Sequence, residues 1–167
     1  IELSKDAKED LTFDFENHKI YYLNQEFKGK IIFTGAIDEF FDNCLGQLPY
    51  RSLRFDFEHY SQDDYQGHGV VNYTVSEDYT RITEFKYLTG QKISGTTIIK
   101  EYPEVYKDNR QVPYYAILSP ENKAMHQKYA DMVKPFCRFH LLGRLAQYKY
   151  YNIDGIVEEA LALTKQL

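Results

Sequence analysis

The sequence predicts a mixed fold, α+β with α/β character at its ends, in which an antiparallel sheet fills the middle of the chain. Three observations lead there. From Tyr50 to Tyr102, short stretches of alternating apolar and polar residues follow one another, separated by Gly, Ser, Asp and Asn turns. Before them, the continuous apolar run "GKIIFTG" leads into helical spacing. After them, helix signals open at Ser119 and again near Asp154.

In order along the chain, "LTFDFE" sets Leu11, Phe13 and Phe15 against Thr12, Asp14 and Glu16, the period of a half-buried strand, and "HKIYYL" is a second strand after a polar turn. "GKIIFTG" predicts a strand buried on both faces, and "AIDEFFDNCL" a helix packing through Ile37, Phe40, Phe41 and Leu45. In "SLRFDFEHY", Leu53, Phe55 and Phe57 face one way and Arg54, Asp56 and Glu58 the other; "GVVNYTV", "TRITEFKYL" and "GTTIIKEY" repeat the theme. Pro113 keeps "VPYYAIL" out of a central-strand role, since proline cannot donate to a ladder. Ser119 followed by Pro120 is an N-cap with proline at the first helical position; Met125, Tyr129 and Met132 form one stripe, and the helix stops before Pro135. "FCRFHLLG" is a further strand, and Ile156, Val157, Ala160, Leu161 and Thr164 mark a final amphipathic helix.

Composition narrows the function. The chain of 167 residues suits one ordinary domain. With 43% apolar and 27% charged residues it belongs with folded proteins. A net charge of -5 supplies no general field for nucleic acid or an anionic membrane, so an anion site must be built from a few local cations. No stretch approaches the roughly 18 apolar residues of a membrane span, and no signal peptide opens the chain, so the expected location is cytoplasmic. Cys44 and Cys137 lack any ligand spacing and are expected as buried thiols in a reducing compartment. In that setting the sequon Asn72-Tyr73-Thr74 is a coincidence. The opening "IELSKDAKEDL", beginning at Ile1 rather than Met, suggests a piece of a longer chain. Tyrosine is abundant, 16 residues beside 11 Phe and no Trp, which suits either a sheet covered by rings or a polar ligand cleft.

The chemistry-bearing motifs are few. His18, His59, His68, His126 and His140 show no metal-ligand pairing, so no metal is expected. There is no nucleophile elbow, P-loop or G-x-G-x-x-G. Arg81 in "YTRITEFKY" shares a strand face with Thr83 and Phe85, with Ile82 and Glu84 on the other; it is either a solvated or paired charge or a clamp for phosphate oxygens, which a planar guanidinium holds by two parallel bonds. "PYY", Pro113 to Tyr115, offers phenol donors or ordinary loop packing. The densest signal is "GRLAQYKYYNIDG", Gly143 to Gly155, where Arg144, Lys149 and three tyrosines precede a helix start. A helix N-terminus presents unpaired N–H groups and positive dipole to its surroundings, which favours an anion. Tyr148 and Tyr150 are expected on the same side of this extended segment. Two readings stand: a site for an anionic aromatic ligand, or a buried aromatic corner.

Taken together, "TGAIDEFFD", "LPYRSLRFDFE", "QGHGVVNYT", "YTRITEFKY", "KEYP", "PYYAI" and "GRLAQYKYYNID" closely resemble consecutive segments of the bacterial UDP-galactopyranose mutases, from about Lys30 to the C-terminus. The resemblance implies a flavin-dependent isomerase that interconverts UDP-galactopyranose and UDP-galactofuranose through an adduct between the sugar and N5 of reduced FAD, with the cofactor doing the chemistry and the protein positioning it. It implies that Arg81, Tyr115 and Tyr150 bind the substrate diphosphate, and that Asn72, Arg51 and Asn152 lie on the substrate side. It also implies that Gly143, Arg144 and Ile153 contact FAD, the last helix pointing its start at the edge where the reduced flavin carries its charge.

The same resemblance divides the chain into 1–48, joining an FAD domain; 49–118, the substrate-side antiparallel sheet; and 119–167, returning to the C-terminal part of a Rossmann-like FAD domain. Two departures stand out. Asn152 replaces a usual aspartate, leaving an amide that can still hydrogen-bond, and Ala36 replaces a usual proline. Because the glycine-rich FAD motif of the family is absent, the chain alone is expected neither to hold FAD tightly nor to turn over, and to pair as a homodimer through uncovered apolar surface. The alternatives are a nucleotide-sugar-binding module without catalysis, and another flavoenzyme of the same fold, such as one resembling amine oxidases.

Overall fold

The computed structural model describes residues 8–108 and 110–167, so the opening "IELSKDA" lies outside the described residues. Two compact units divide the chain: residues 1–49 with 115–167, and residues 50–114. The mixed α+β class and the antiparallel sheet both follow the sequence pattern.

The first unit holds β1 (Leu11–Asp14), β2 (Lys19–Tyr22), β3 (Gln25–Glu26), β4 (Ile31–Phe33), α1 (Ile37–Phe40), β9 (Tyr115–Ala116), α3 (Pro120–Val133), β10 (Phe139–Leu141) and α4 (Ile153–Thr164). β1, β2 and β3 form an antiparallel meander, whereas β4 and β10 pair in parallel, Phe139 opposite Ile31 and Leu141 opposite Phe33. Rings knit this unit together. Phe13 meets Phe40, Phe41, Phe136 and Phe139 edge-on, with centroids 5.0–5.7 Å apart, the arrangement that ring quadrupoles prefer. Ser119 caps α3 as its sequence predicts, its hydroxyl accepting from Asn122 N at 3.1 Å, and Tyr129 is buried on the core-facing side.

Three expectations change here. α1 stops at Phe40 rather than Leu45, because Asp42 and Asn43 take left-handed backbone (φ 52° and 55°) and the buried Asp38 carboxylate accepts Leu48 N at 2.8 Å, folding the chain back. β4 is not buried on both faces: Ile32 is exposed while Ile31 and Phe33 face inward. Cys44 and Cys137 are both exposed, since each sits in a surface turn, one after α1 and one before β10.

The second unit holds β5 (Tyr50–Tyr60), β6 (Val70–Asn72), β7 (Arg81–Glu84), α2 (Phe85–Thr89) and β8 (Thr96–Val105), with strand order β6-β7-β8-β5, all antiparallel. In β7, Ile82 and Glu84 are buried and Arg81 points the other way. The strand predicted through Leu88 ends at Glu84. The Glu84 carboxylate accepts from Tyr65 N (3.1 Å), Gln66 N (3.0 Å) and the Thr96 hydroxyl (2.7 Å), and the chain then turns into α2, closed by Gly90 in left-handed conformation (φ 69°). On β5 the ring-bearing side is the open one, on the same face as Arg81 and Glu101, whereas Ile82 and Ile98 are buried on the opposite face. Phe55 and Phe57 are exposed, Phe57 at 66%, while the polar side of β5 carries paired charges such as Glu58 with Lys100 at 2.7 Å.

Candidate functional site

In the first unit the segment after β10 turns at Gly143, whose φ of +102° belongs to glycine; an added Cβ would meet nothing nearer than 3.9 Å, so backbone conformation rather than crowding selects the residue. Gln147 N donates to Gly143 O (3.0 Å) and Lys149 N to Arg144 O (3.1 Å), while the Gln147 side chain accepts from Gly143 N (3.1 Å). This coil brings Arg144 back on the segment's far end. Its Nε donates to Tyr151 O at 2.9 Å, and Nη2 donates to the same carbonyl. Held so, the guanidinium lies 4.9 Å from the Tyr150 ring centre and 5.3 Å from that of Tyr115, and those two rings stack at 6.3 Å. Arg144, Tyr115 and Tyr150 therefore form one cradle, with Tyr150 63% exposed.

Tyr148 does not share a side with Tyr150. Its backbone is left-handed (φ 50°), which breaks the alternation of an extended segment and buries its ring to 2% exposure. Its hydroxyl lies 2.6 Å from Pro49 O and 3.1 Å from Ile117 O, its one proton shared between the two carbonyls, and burial pushes its pKa up to about 12. His126 of α3 stacks on this ring at 5.5 Å and donates through Nε2 to Ala146 O at 2.8 Å; burial lowers its pKa below the usual histidine range. Beside them an open groove of about 500 Å³ is lined by Lys123, Leu141, Gln147 and Lys149. Asn152 takes the N-cap position of α4 with no side-chain cap bond, and Ile153 is 82% exposed, so the first-turn N–H groups end at an open surface.

In the second unit Asn72 lies opposite Arg81, and Arg81 opposite Glu101. The Asn72 amide oxygen accepts from Arg81 Nε at 2.9 Å, and the Glu101 carboxylate stands 3.7 Å from Nη1. The guanidinium is thus oriented from two sides while the side chain stays 44% exposed. Arg51 lies near the start of β5 opposite Val105, away from the row in which Phe55, Glu101 and Arg81 sit side by side. Glu101 and Glu84 escaped sequence reasoning as site-shaping residues; antiparallel register, not spacing along the chain, brings them to Arg81 and to the 61–69 loop.

Among the described residues no group of three or more His, Cys, Asp or Glu is disposed to hold a metal, and no helix is long and apolar enough to cross a membrane. Compared with known proteins, the chain matches the family model described as UDP-galactopyranose mutase over residues 3–150. It is 32% identical to the UDP-galactopyranose mutase of Mycoplasma pneumoniae over 90% of this chain and 39% of that protein, and 32% identical to that of Mycoplasma genitalium over 100% and 42%. It is also 36% identical to a dTDP-fucopyranose mutase of Escherichia coli, over 83% of this chain and 37% of that protein. The chain spans about two fifths of the length of these curated relatives. With the family match extending over most of its residues, this chain belongs to the UDP-galactopyranose mutase family.

Proposed function

We propose that this chain is the substrate-side and flavin-contacting part of an isomerase that interconverts UDP-galactopyranose and UDP-galactofuranose. The observation that carries the reading is the cradle of Arg144 over the Tyr115–Tyr150 stack, in a chain of this family. A fixed cation beside two phenol donors suits a site that must accept anions in a protein of net charge -5.

The donor set fits a reduced flavin. The α4 N-terminus has no side-chain cap, Gly143 lets the backbone turn sharply, and Arg144 is a permanent cation. Gly143, Arg144 and Ile153 are the residues that would hold FAD, which when bound supplies the nucleophile for the anomeric carbon of the sugar. Tyr115 and Tyr150 donate to diphosphate oxygens without adding charge. Arg81, oriented by Asn72 and Glu101, offers its exposed edge to phosphate. Asn152 contributes an amide, and Arg51 a more distant cation on the substrate side. The corresponding partition is 1–48 and 119–167 with a Rossmann-like FAD domain and 49–118 with the substrate, at work in the cytoplasm and as a homodimer.

The test uses the protein as its gene encodes it. The flavin spectrum is recorded, and UDP-galactofuranose conversion is assayed with and without dithionite. A yellow protein active only when reduced is expected; a colourless protein that binds UDP without turnover would replace the reading with a binding module. Because one relative is named a dTDP-fucopyranose mutase, the dTDP-fucose pair is assayed alongside, and a higher kcat/KM for it would reassign the substrate. The 167-residue chain assayed alone is expected to be inactive.

A further inference from the structure

Tyr115 and Tyr150 lie far apart in sequence, yet their rings stack under one guanidinium. Tyr148 is placed to bring this about. It sits two residues before Tyr150, and its one hydroxyl proton is shared between Pro49 O at 2.6 Å, which also accepts from Ile117 N at 3.1 Å, and Ile117 O at 3.1 Å, two residues after Tyr115. One buried phenol thus ties together the two backbone segments that carry the cradle. The His126 ring backs the phenol, and the bond from His126 to Ala146 O pins the same turn from α3. The left-handed backbone at Tyr148 is a conformation that costs a side-chain-bearing residue energy, and it persists where surrounding contacts over-determine it.

Resting on the mutase reading above, we propose that Tyr148 is a positioning residue: without touching substrate, its hydroxyl sets the spacing of Tyr115 and Tyr150 beneath Arg144, and so the affinity of the site for the substrate diphosphate. Tyr148→Phe separates this role from packing. The ring and its stack on His126 are kept, and neither carbonyl is orphaned, because Pro49 O keeps Ile117 N and Ile117 O keeps the Asn122 side-chain amide at 2.7 Å.

The experiment compares the full-length protein with Y148F by hydrogen exchange, melting temperature and steady-state kinetics on UDP-galactofuranose, with Y115F and the double variant completing a cycle. We expect faster exchange confined to residues 115–118 and 143–151, a melting temperature within a few degrees of the parent, and KM raised about tenfold with kcat little changed, the mark of lost ground-state binding. Y148F should add much less in the Y115F background than alone, since it acts through that ring. Unchanged exchange in both segments, a collapsed fold, fully additive effects, or a fall in kcat alone would each overturn the proposal. If the parent itself turns over no sugar nucleotide, the mutase reading fails instead, and the exchange comparison still decides whether Tyr148 sets the cradle.

Discussion

Arg81, Tyr150 and His126 illustrate three different grips on a side chain. Arg81 is held by an amide at Nε and a carboxylate beyond hydrogen-bond range, so its orientation is set while its charge is only partly offset. If the proposed function holds, Arg81→Ala is expected to cost about 2–4 kcal/mol in transition-state binding, read from kcat/KM of the full-length protein; a near-normal value would remove it from the proposed diphosphate site. Tyr150 is exposed and gives up only a hydroxyl in Tyr150→Phe, for about 1–2 kcal/mol; unchanged KM and kcat would return it to packing. His126 makes a pH prediction. Its folded pKa lies below the unfolded value because burial disfavours the imidazolium, so the unfolded chain binds the extra proton first. Its contribution is therefore complete above the ordinary histidine range and is lost as pH falls through about 6.5 toward the lowered folded value. Urea midpoints measured from pH 8 to pH 5 should decline, and His126→Gln, which keeps an amide donor for Ala146 O, should flatten that decline.

At the scale of elements, α3 and β7 show how a local signal and a distant contact differ. The Ser119 cap was readable because capping is settled within four residues; Ser119→Ala is expected to cost about 1 kcal/mol, measured as a shift in the urea midpoint. The end of β7 was not readable, because Glu84 answers to Tyr65, Gln66 and Thr96, which the chain brings in from elsewhere. Glu84→Ala strips acceptors from two backbone N–H groups at a cost of about 1–3 kcal/mol for each left unpaired, and exchange across residues 61–69 should rise with it. Unaltered exchange there would mean that the loop is held by its other anchors, such as Lys86 to Asp63 O at 3.0 Å. The early stop of α1 has the same origin, since Asp38 reaches across to Leu48.

At the scale of the whole chain, apolar surface remains open on α4, where Ile153, Val157 and Leu161 are exposed at four-residue intervals, and on the sheet at Phe55 and Phe57. Concentration-dependent association of this 167-residue chain is expected in sedimentation velocity, and Val157→Glu should reduce it; a monomer at all concentrations would show the stripe to be tolerated by solvent.

The sequence by itself determined what depends on near neighbours: strand periodicity from Tyr50 to Tyr102, the helix start at Ser119, and the concentration of cation and rings between Gly143 and Gly155. It also carried the family, through motifs whose order and spacing survive along most of the chain. Only tertiary structure decided which face of the sheet stays open, that Tyr148 is buried while Tyr150 is exposed, and that Arg144 folds back onto Tyr151 O to cover two rings. Burial and left-handed backbone are set by contacts from remote segments, and a residue's local pattern holds no record of which segments those will be.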